Sequence, residues 1–217
     1  MNPNTEAFMD ALSPGWKFLL VAAVLVPVVY FGAQVLAAPY FPDYSILTTS
    51  ASDLGSDLSS RPGILNTGAL LTGVLALLGS VGLAGSLPRV GAGKLAACAL
   101  ALCVASAGLA SLWAGWHPLP SPRHDPGALG TGMFVAPFAA VWVAWRMSPA
   151  GRLRWVLSLN AVAFIALAAI MFGVGRIDLS ACGGLMQKLI AVTSFSPSAV
   201  IAAIAIRRSG RPADAIR

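Results

Sequence analysis

The sequence carries very little charge. Only 10% of its 217 residues are Asp, Glu, Lys or Arg, whereas a soluble globular domain has about 25%. Hydrophobic residues make up 57%, and the mean hydropathy is +0.78. A soluble protein of 22.2 kDa has no interior large enough to bury that much apolar surface. The scarcity of charge therefore excludes a soluble domain and indicates that lipid surrounds much of the chain.

Cysteine and known catalytic motifs are also scarce. The three cysteines, Cys98, Cys103 and Cys182, form no CxxC pair, which argues against a zinc ribbon and a disulfide framework. The chain has no GxSxG elbow, P-loop or DxDD cluster, and its two histidines lack the spacing of a motif such as HExxH. We therefore predict neither a metal nor a cofactor. The net charge of +6 comes without an aromatic and basic pattern, so nucleic acid is not an expected partner.

What the sequence has instead is a series of long apolar runs. Each run is close to the roughly 20 residues that cross a bilayer as a helix, and each is bounded by charge, Pro or Gly. Six spans are predicted, at residues 16–38, 63–86, 95–115, 126–145, 155–174 and 184–206. No soluble domain fits between them. The expected fold is an all-α, polytopic membrane helix bundle that forms one domain over residues 1–217.

The basic residues predict how this bundle lies in the membrane. With six spans, ten of the fourteen fall on one side: Lys17, Arg89, Lys94, Arg146, Arg152, Arg154, Arg207, Arg208, Arg211 and Arg217. By the positive-inside rule that side is cytoplasmic, so both termini are expected in the cytoplasm. An odd number of spans would split these clusters between the two sides. The pattern supports a multi-pass protein of the cell membrane, in the bacterial plasma membrane.

The first apolar run allows a second interpretation. Lys17, the run after it and the small residues before Pro39 also fit a cleaved signal sequence. The run is long for a signal core, and Tyr30 and Gln34 interrupt it, so we prefer an uncleaved first helix. Mature protein whose N-terminal sequence begins near Pro39 would contradict this prediction.

Polar residues of both signs collect on the opposite, outward side. Topology explains the basic cytoplasmic side, but it does not explain this mixture. The first outward loop is long for a helix connection, and it contains Asp53 and Arg61. Asn66 lies one turn inside span two, where an amide is costly unless it is hydrogen-bonded. Arg61 and Asn66 are predicted to face one polar pocket.

The second and third outward loops add to this cluster. His117 and His124 flank a proline-rich turn, and His124 is the better functional candidate because an imidazole at a membrane face titrates near neutral pH. A rim of Arg61, Arg176 and Lys188 would suit an anionic headgroup. The expected ligand contacts are Arg61, Asn66, His117, Arg176 and Gln187. The structural alternative is a set of solvated loops, weak surface pairs and snorkelling side chains.

Short motifs resemble a known membrane family, the domain of unknown function 998. Ser52-Asp53-Leu54-Gly55, then Arg61, then Asn66-Thr67-Gly68 entering span two are similar to that family's SDL segment and second helix. His124 before Gly127-Ala128 looks like a His that opens a later helix in the family. The resemblance runs from span one to span six and implies a multi-span bacterial or archaeal membrane protein. The family has no established activity, so the resemblance implies a fold and no function.

Two functions remain open on the sequence. The first is an intramembrane enzyme that acts on a lipid-like or isoprenoid substrate in an outward-facing pocket, with Asp53 and His124 as the acid/base pair. The alternative is a non-enzymatic membrane module that binds a lipid or a partner protein, and whose polar cluster ties the loops together. Membrane lipids are expected partners in both. Alanine at Asp53 abolishes turnover in the first hypothesis and lowers stability in the second.

Overall fold

Six long helices form the part of the protein that the structure describes. The computed structural model describes residues 12–147 and 151–209. The helices are α1 (Pro14–Ala37), α2 (Gly63–Ser86), α3 (Lys94–Trp116), α4 (Thr131–Arg146), α5 (Gly151–Met171) and α6 (Gly183–Arg208). Each is long and apolar enough to cross a membrane, α4 together with the short helix before it, and none of the described residues lies in a β-strand. The prediction of an all-α bundle with six membrane helices is confirmed.

The helix ends follow the local chemistry of the chain. Helix α2 has both of its predicted ends, at Gly63 and Ser86. Helix α4 begins at Thr131, later than the predicted residue 126, because residues Gly127–Gly130 form a 3₁₀ helix that starts at a positive φ of 53°. The ends of the chain, with Arg211 and Arg217, lie outside the described residues, so the predicted position of both termini stays a prediction.

The connections between helices lie at two ends of the bundle. One end, which we call the loop face, carries residues 38–62, 117–130 and 172–182. The other end, the basic face, carries residues 87–93, Arg146 at the end of α4, Arg152 at the start of α5 and the end of α6. Helix α5 lies at the edge of the bundle, since Leu157, Ala161 and Phe164 are its buried residues. Most of the core therefore lies among the other five helices, and α5 contributes Leu157 to it.

Small residues let α1 and α2 approach each other closely. A Cβ atom at Gly79 would lie 2.7 Å from the Cα of Ala23. One at Gly68 would lie 2.2 Å from the Cβ of Ala33. The hydroxyl of Thr72 donates to the Gly68 carbonyl at 2.7 Å and so is satisfied within its own helix. The interface is thus backbone against backbone, which is the packing that small residues permit between helices in lipid.

Gly79→Ala is expected to destabilise the protein. The added methyl overpacks the contact with Ala23, so we expect the free energy of unfolding to fall by about 1–3 kcal/mol. Gly32→Ala on α1 is the matched control, because a Cβ there meets no atom within 4 Å. Thermal unfolding in detergent measures both variants. Equal midpoints for the two would contradict the close approach of α1 and α2.

Candidate functional site

A cavity of about 190 Å³ opens below the loop face, between α1, α2, α3, α4 and α6. Polar lining residues lie toward its mouth: Ser52, Asn66, Ser111, His124 and Gln187. The deeper wall includes Tyr30, Met133 and Phe195. Gln187 and Phe195 are eight residues apart on α6, which separates them by about 12 Å along the helix axis. The cavity therefore has most of its polar side chains at one end, and apart from the Tyr30 hydroxyl its other end is aromatic and aliphatic.

The loop of residues 38–62 closes one side of the mouth because it is bonded to α6. The Ala51 N–H donates to Gln187 Oε1 at 2.8 Å. The Lys188 Nζ donates to the Thr49 carbonyl at 2.5 Å and to the carbonyl of Gly184 at 3.2 Å. A Cβ at Gly184 would lie 2.4 Å from the same Thr49 oxygen. The loop is therefore fixed against the start of α6 by Gly184, Gln187 and Lys188.

The same loop is also bonded to α2. The Asn66 Nδ2 donates to the Gly55 carbonyl at 2.9 Å, so this amide has the partner that its place inside a span requires. Gly55 is buried, and a Cβ there would lie 2.3 Å from Asn66 Oδ1. A side chain at 55 would therefore have to displace the Asn66 amide from this contact. The Gly55 carbonyl and Asn66 together form the α2 side of the mouth.

Asp53 belongs to the loop and does not line the cavity. Its Oδ2 accepts the Ser50 N–H at 2.7 Å, and its carbonyl accepts the Ser56 hydroxyl at 2.7 Å. The carboxylate lies within electrostatic range of the Lys188 ammonium. It is Ser52, the residue before Asp53, that lines the mouth. The cavity thus contains His124 but not Asp53, the other member of the predicted acid/base pair.

The two histidines have different positions. His124 lines the cavity, and its Nδ1 lies 2.8 Å from the His117 carbonyl oxygen. Because a carbonyl oxygen only accepts hydrogen bonds, Nδ1 carries the hydrogen, and a neutral ring has its lone pair on Nε2. The His117 ring instead packs against the Trp113 ring, with 4.6 Å between the two ring centroids, and it lies outside the cavity. His117 therefore orients His124 through its backbone.

The predicted basic rim is not assembled around the cavity. Arg61 lies over the Tyr40 ring at 5.0 Å. Lys188 is bonded to backbone carbonyls, as described above, and Arg176 lies in a turn with a positive φ of 52°. None of the three lines the cavity. Near Arg176, the N–H and hydroxyl of Ser180 donate to the Asp178 carboxylate, which lowers the pKa of that carboxyl from its usual value.

Among the described residues, no group of three or more His, Cys, Asp or Glu side chains is placed to hold a metal ion. Sequence reasoning singled out Asn66, His124 and Gln187, which do line the cavity, but it missed Tyr30, Met133 and Phe195 as the deep wall. Tyr30 is visible in the sequence as an interruption of an apolar run. Met133 and Phe195 resemble every other apolar residue in the spans and carry no such signal.

A family model described as a protein of unknown function, DUF998, matches residues 21–207. This chain belongs to the DUF998 family. The match includes every described residue that lines the cavity, from Tyr30 to Phe195. No curated protein and no solved structure matches this DUF998 chain. The predicted membership of this family is confirmed, and membership of DUF998 brings no activity with it.

Proposed function

We propose that this DUF998 protein binds one neutral, lipid-like amphiphile, such as an isoprenoid or fatty alcohol. One observation carries the proposal: among the described residues that line the cavity, none is Asp, Glu, Lys or Arg. The mouth offers hydroxyl, amide and imidazole groups from Ser52, Asn66, His124 and Gln187, which suit a hydroxyl or amide. A phosphate or carboxylate head would instead call for a basic partner. The aromatic and aliphatic deep wall suits an apolar chain.

The volume of the cavity sets how much of the ligand it encloses. A cavity of about 150 Å³ engineered into another protein holds a benzene molecule. The present cavity, at about 190 Å³, therefore encloses on the order of ten non-hydrogen atoms. That is enough for a polar head and one or two isoprene units. The rest of a longer chain would extend out of the cavity toward the bilayer.

The charge distribution supports an orientation for this site. The basic face carries Arg89, Lys94, Arg146, Arg152 and Arg207, and basic residues favour the cytoplasmic side of a membrane. We therefore place the basic face in the cytoplasm and the loop face outside, in a bacterial plasma membrane. The cavity then receives its ligand from the outer leaflet or from the outer solution.

A second candidate function is acid/base catalysis on the bound head, and the position of His124 favours it. A neutral imidazole whose Nδ1 is held by a carbonyl, here that of His117, presents Nε2 as a general base. Asp53 has no part in this version, because its carboxylate is bonded to Ser50. His124→Gln would then retain ligand binding and lose turnover.

Two probes with the same chain test the binding proposal. Geranylgeraniol and geranylgeranyl phosphate differ only in the head, and each is added to delipidated protein in detergent while thermal unfolding is followed. Each probe is also added to Ala114→Trp, in which a large side chain fills the cavity. We expect stabilisation by the alcohol that Ala114→Trp removes, and no stabilisation by the phosphate that this variant removes, because a buried charge without a partner costs several kcal/mol. Stabilisation by the phosphate that Ala114→Trp removes contradicts a neutral head. If neither probe stabilises the protein, the proposed binding function is wrong. Mass spectrometry of the alcohol recovered after incubation tests the second candidate, because turnover would change its mass.

A further inference from the structure

A second concave site lies at the other end of the molecule, on the basic face. It is a groove of about 510 Å³ between the end of α2 and the start of α3. Arg89 and Lys94 line it, together with Pro88, Gly93 and Cys98. No carboxylate occurs among the described residues of its lining. The groove thus concentrates two positive charges without a compensating negative one.

Arg89 is held in place on one wall of this groove. Its guanidinium lies 5.2 Å from the Trp16 ring, and its Nη1 donates to the Gly85 carbonyl. A guanidinium has five N–H donors in a fixed fork, so these two contacts orient it and leave other donors for a phosphate. Tryptophan is enriched where a membrane meets water, which is the depth of lipid headgroups.

The other wall is the start of α3. The turn before it has positive φ angles of 90° at Gly91 and 78° at Gly93, a conformation that glycine adopts without steric cost. Gly93 is the N-cap and provides no side-chain hydrogen bond to the first turn. The free N–H groups of that turn add partial positive charge beside the Lys94 ammonium. These backbone N–H groups therefore add to the positive potential that Arg89 and Lys94 create in the groove.

An apolar stripe leads from the groove toward the membrane interior. Cys98 is exposed in the groove, and Leu95 and Leu102 on the same side of α3 are each 71% exposed. Residues spaced by three, four and seven positions share one face of a helix. A ligand with a phosphate in the groove would therefore have an apolar surface for acyl chains directly below it. Free phosphate would make no use of that surface.

We infer that this groove binds the headgroup phosphate of an anionic phospholipid. Arg89 provides a forked contact, Lys94 provides a point charge, and the acyl chains lie along Leu95 and Leu102. The site is independent of the cavity below the loop face. It makes the protein selective for negatively charged lipid on its basic face.

Native mass spectrometry of delipidated protein tests this site. The protein is offered equimolar phosphatidylglycerol and phosphatidylcholine with identical acyl chains. We expect wild-type protein to retain phosphatidylglycerol preferentially, and Arg89→Gln/Lys94→Gln to lose roughly thirtyfold of that preference, since each cation near the surface contributes about fivefold. Binding of geranylgeraniol in the cavity is expected to stay unchanged in the same variant.

Arg146→Gln/Arg152→Gln is the matched control, because it removes the same charge from the same face outside the groove. This variant should keep the lipid preference. An equal loss in both double variants would overturn the inference in favour of diffuse charge, and no loss in either would overturn it outright. Displacement of the lipid by inorganic phosphate at equal concentration would overturn the choice of lipid over free phosphate. If the Arg89 variant does not fold, Lys94→Gln alone should cost roughly fivefold.

Discussion

Ala114→Trp is expected to abolish binding of geranylgeraniol. Ala114 lies on α3 and lines the cavity, where an indole would occupy most of the roughly 190 Å³ that is open. With about ten enclosed ligand atoms that each contribute about 0.3 kcal/mol, the affinity should fall by roughly hundredfold or more. Titration of the purified variant, with the shift in unfolding midpoint as the readout, measures this loss.

Leu102→Trp provides the matched control for that experiment. It places the same side chain on the same helix, but at a position that is 71% exposed on the outer surface of the bundle. The control should bind the alcohol as wild-type protein does. A folded Ala114→Trp variant that still binds with wild-type affinity would show that the ligand lies elsewhere.

Asp53→Ala is expected to lower the free energy of unfolding by about 2 kcal/mol. The substitution removes the carboxylate that accepts the Ser50 N–H at 2.7 Å, and a hydrogen bond to a charged group contributes about 1.5–3 kcal/mol. It also removes the carboxylate that interacts electrostatically with the Lys188 ammonium. Asp53→Asn keeps an acceptor oxygen and should recover part of the loss. Thermal or denaturant unfolding measures all three proteins.

Asp57→Ala in the same loop is the comparison for Asp53→Ala. Asp57 is exposed, so its replacement should change stability by less than about 0.5 kcal/mol. Should Asp53→Ala keep wild-type stability and lose turnover instead, the structural role argued for Asp53 would be wrong. The acid/base role expected from the sequence would then be the better account.

The sequence predicted the helices well because lipid imposes a simple rule on them. Every span must be predominantly apolar over about 20 residues, so clusters of polar and helix-breaking residues mark the ends. Helix α2 follows Arg61 and Pro62 and stops before Leu87-Pro88, and both of its ends were predicted. The start of α4 was not, because Gly127–Gly130 is apolar enough to continue a span while its backbone forms a tighter 3₁₀ turn. Composition does not distinguish these two helical forms.

Two of the three predicted residues that line the cavity lie inside helices, where a polar side chain is costly, and the third, His124, lies in a loop. Asn66 and Gln187 lie within helices of an apolar bundle, so each needs a partner, and both line the cavity. Charged loop residues such as Asp53 and Arg61 have no such restriction, because a backbone N–H or an aromatic ring nearby satisfies them. Their presence in a loop therefore says little about where their side chains lie. The fold, and not the residue type, decides which of them reaches the cavity.

The bonds between the first loop and α6 have a consequence for biosynthesis. Ala51 and Gln187 are 136 residues apart, and Thr49 and Lys188 are 139 apart. A ribosome delivers the first loop long before the last helix, so the side of the mouth that α6 provides is missing during most of translation. The cavity is therefore complete only after α6 has been inserted. A chain that stops before α6 would insert its earlier helices and lack the wall that Gln187 and Phe195 provide.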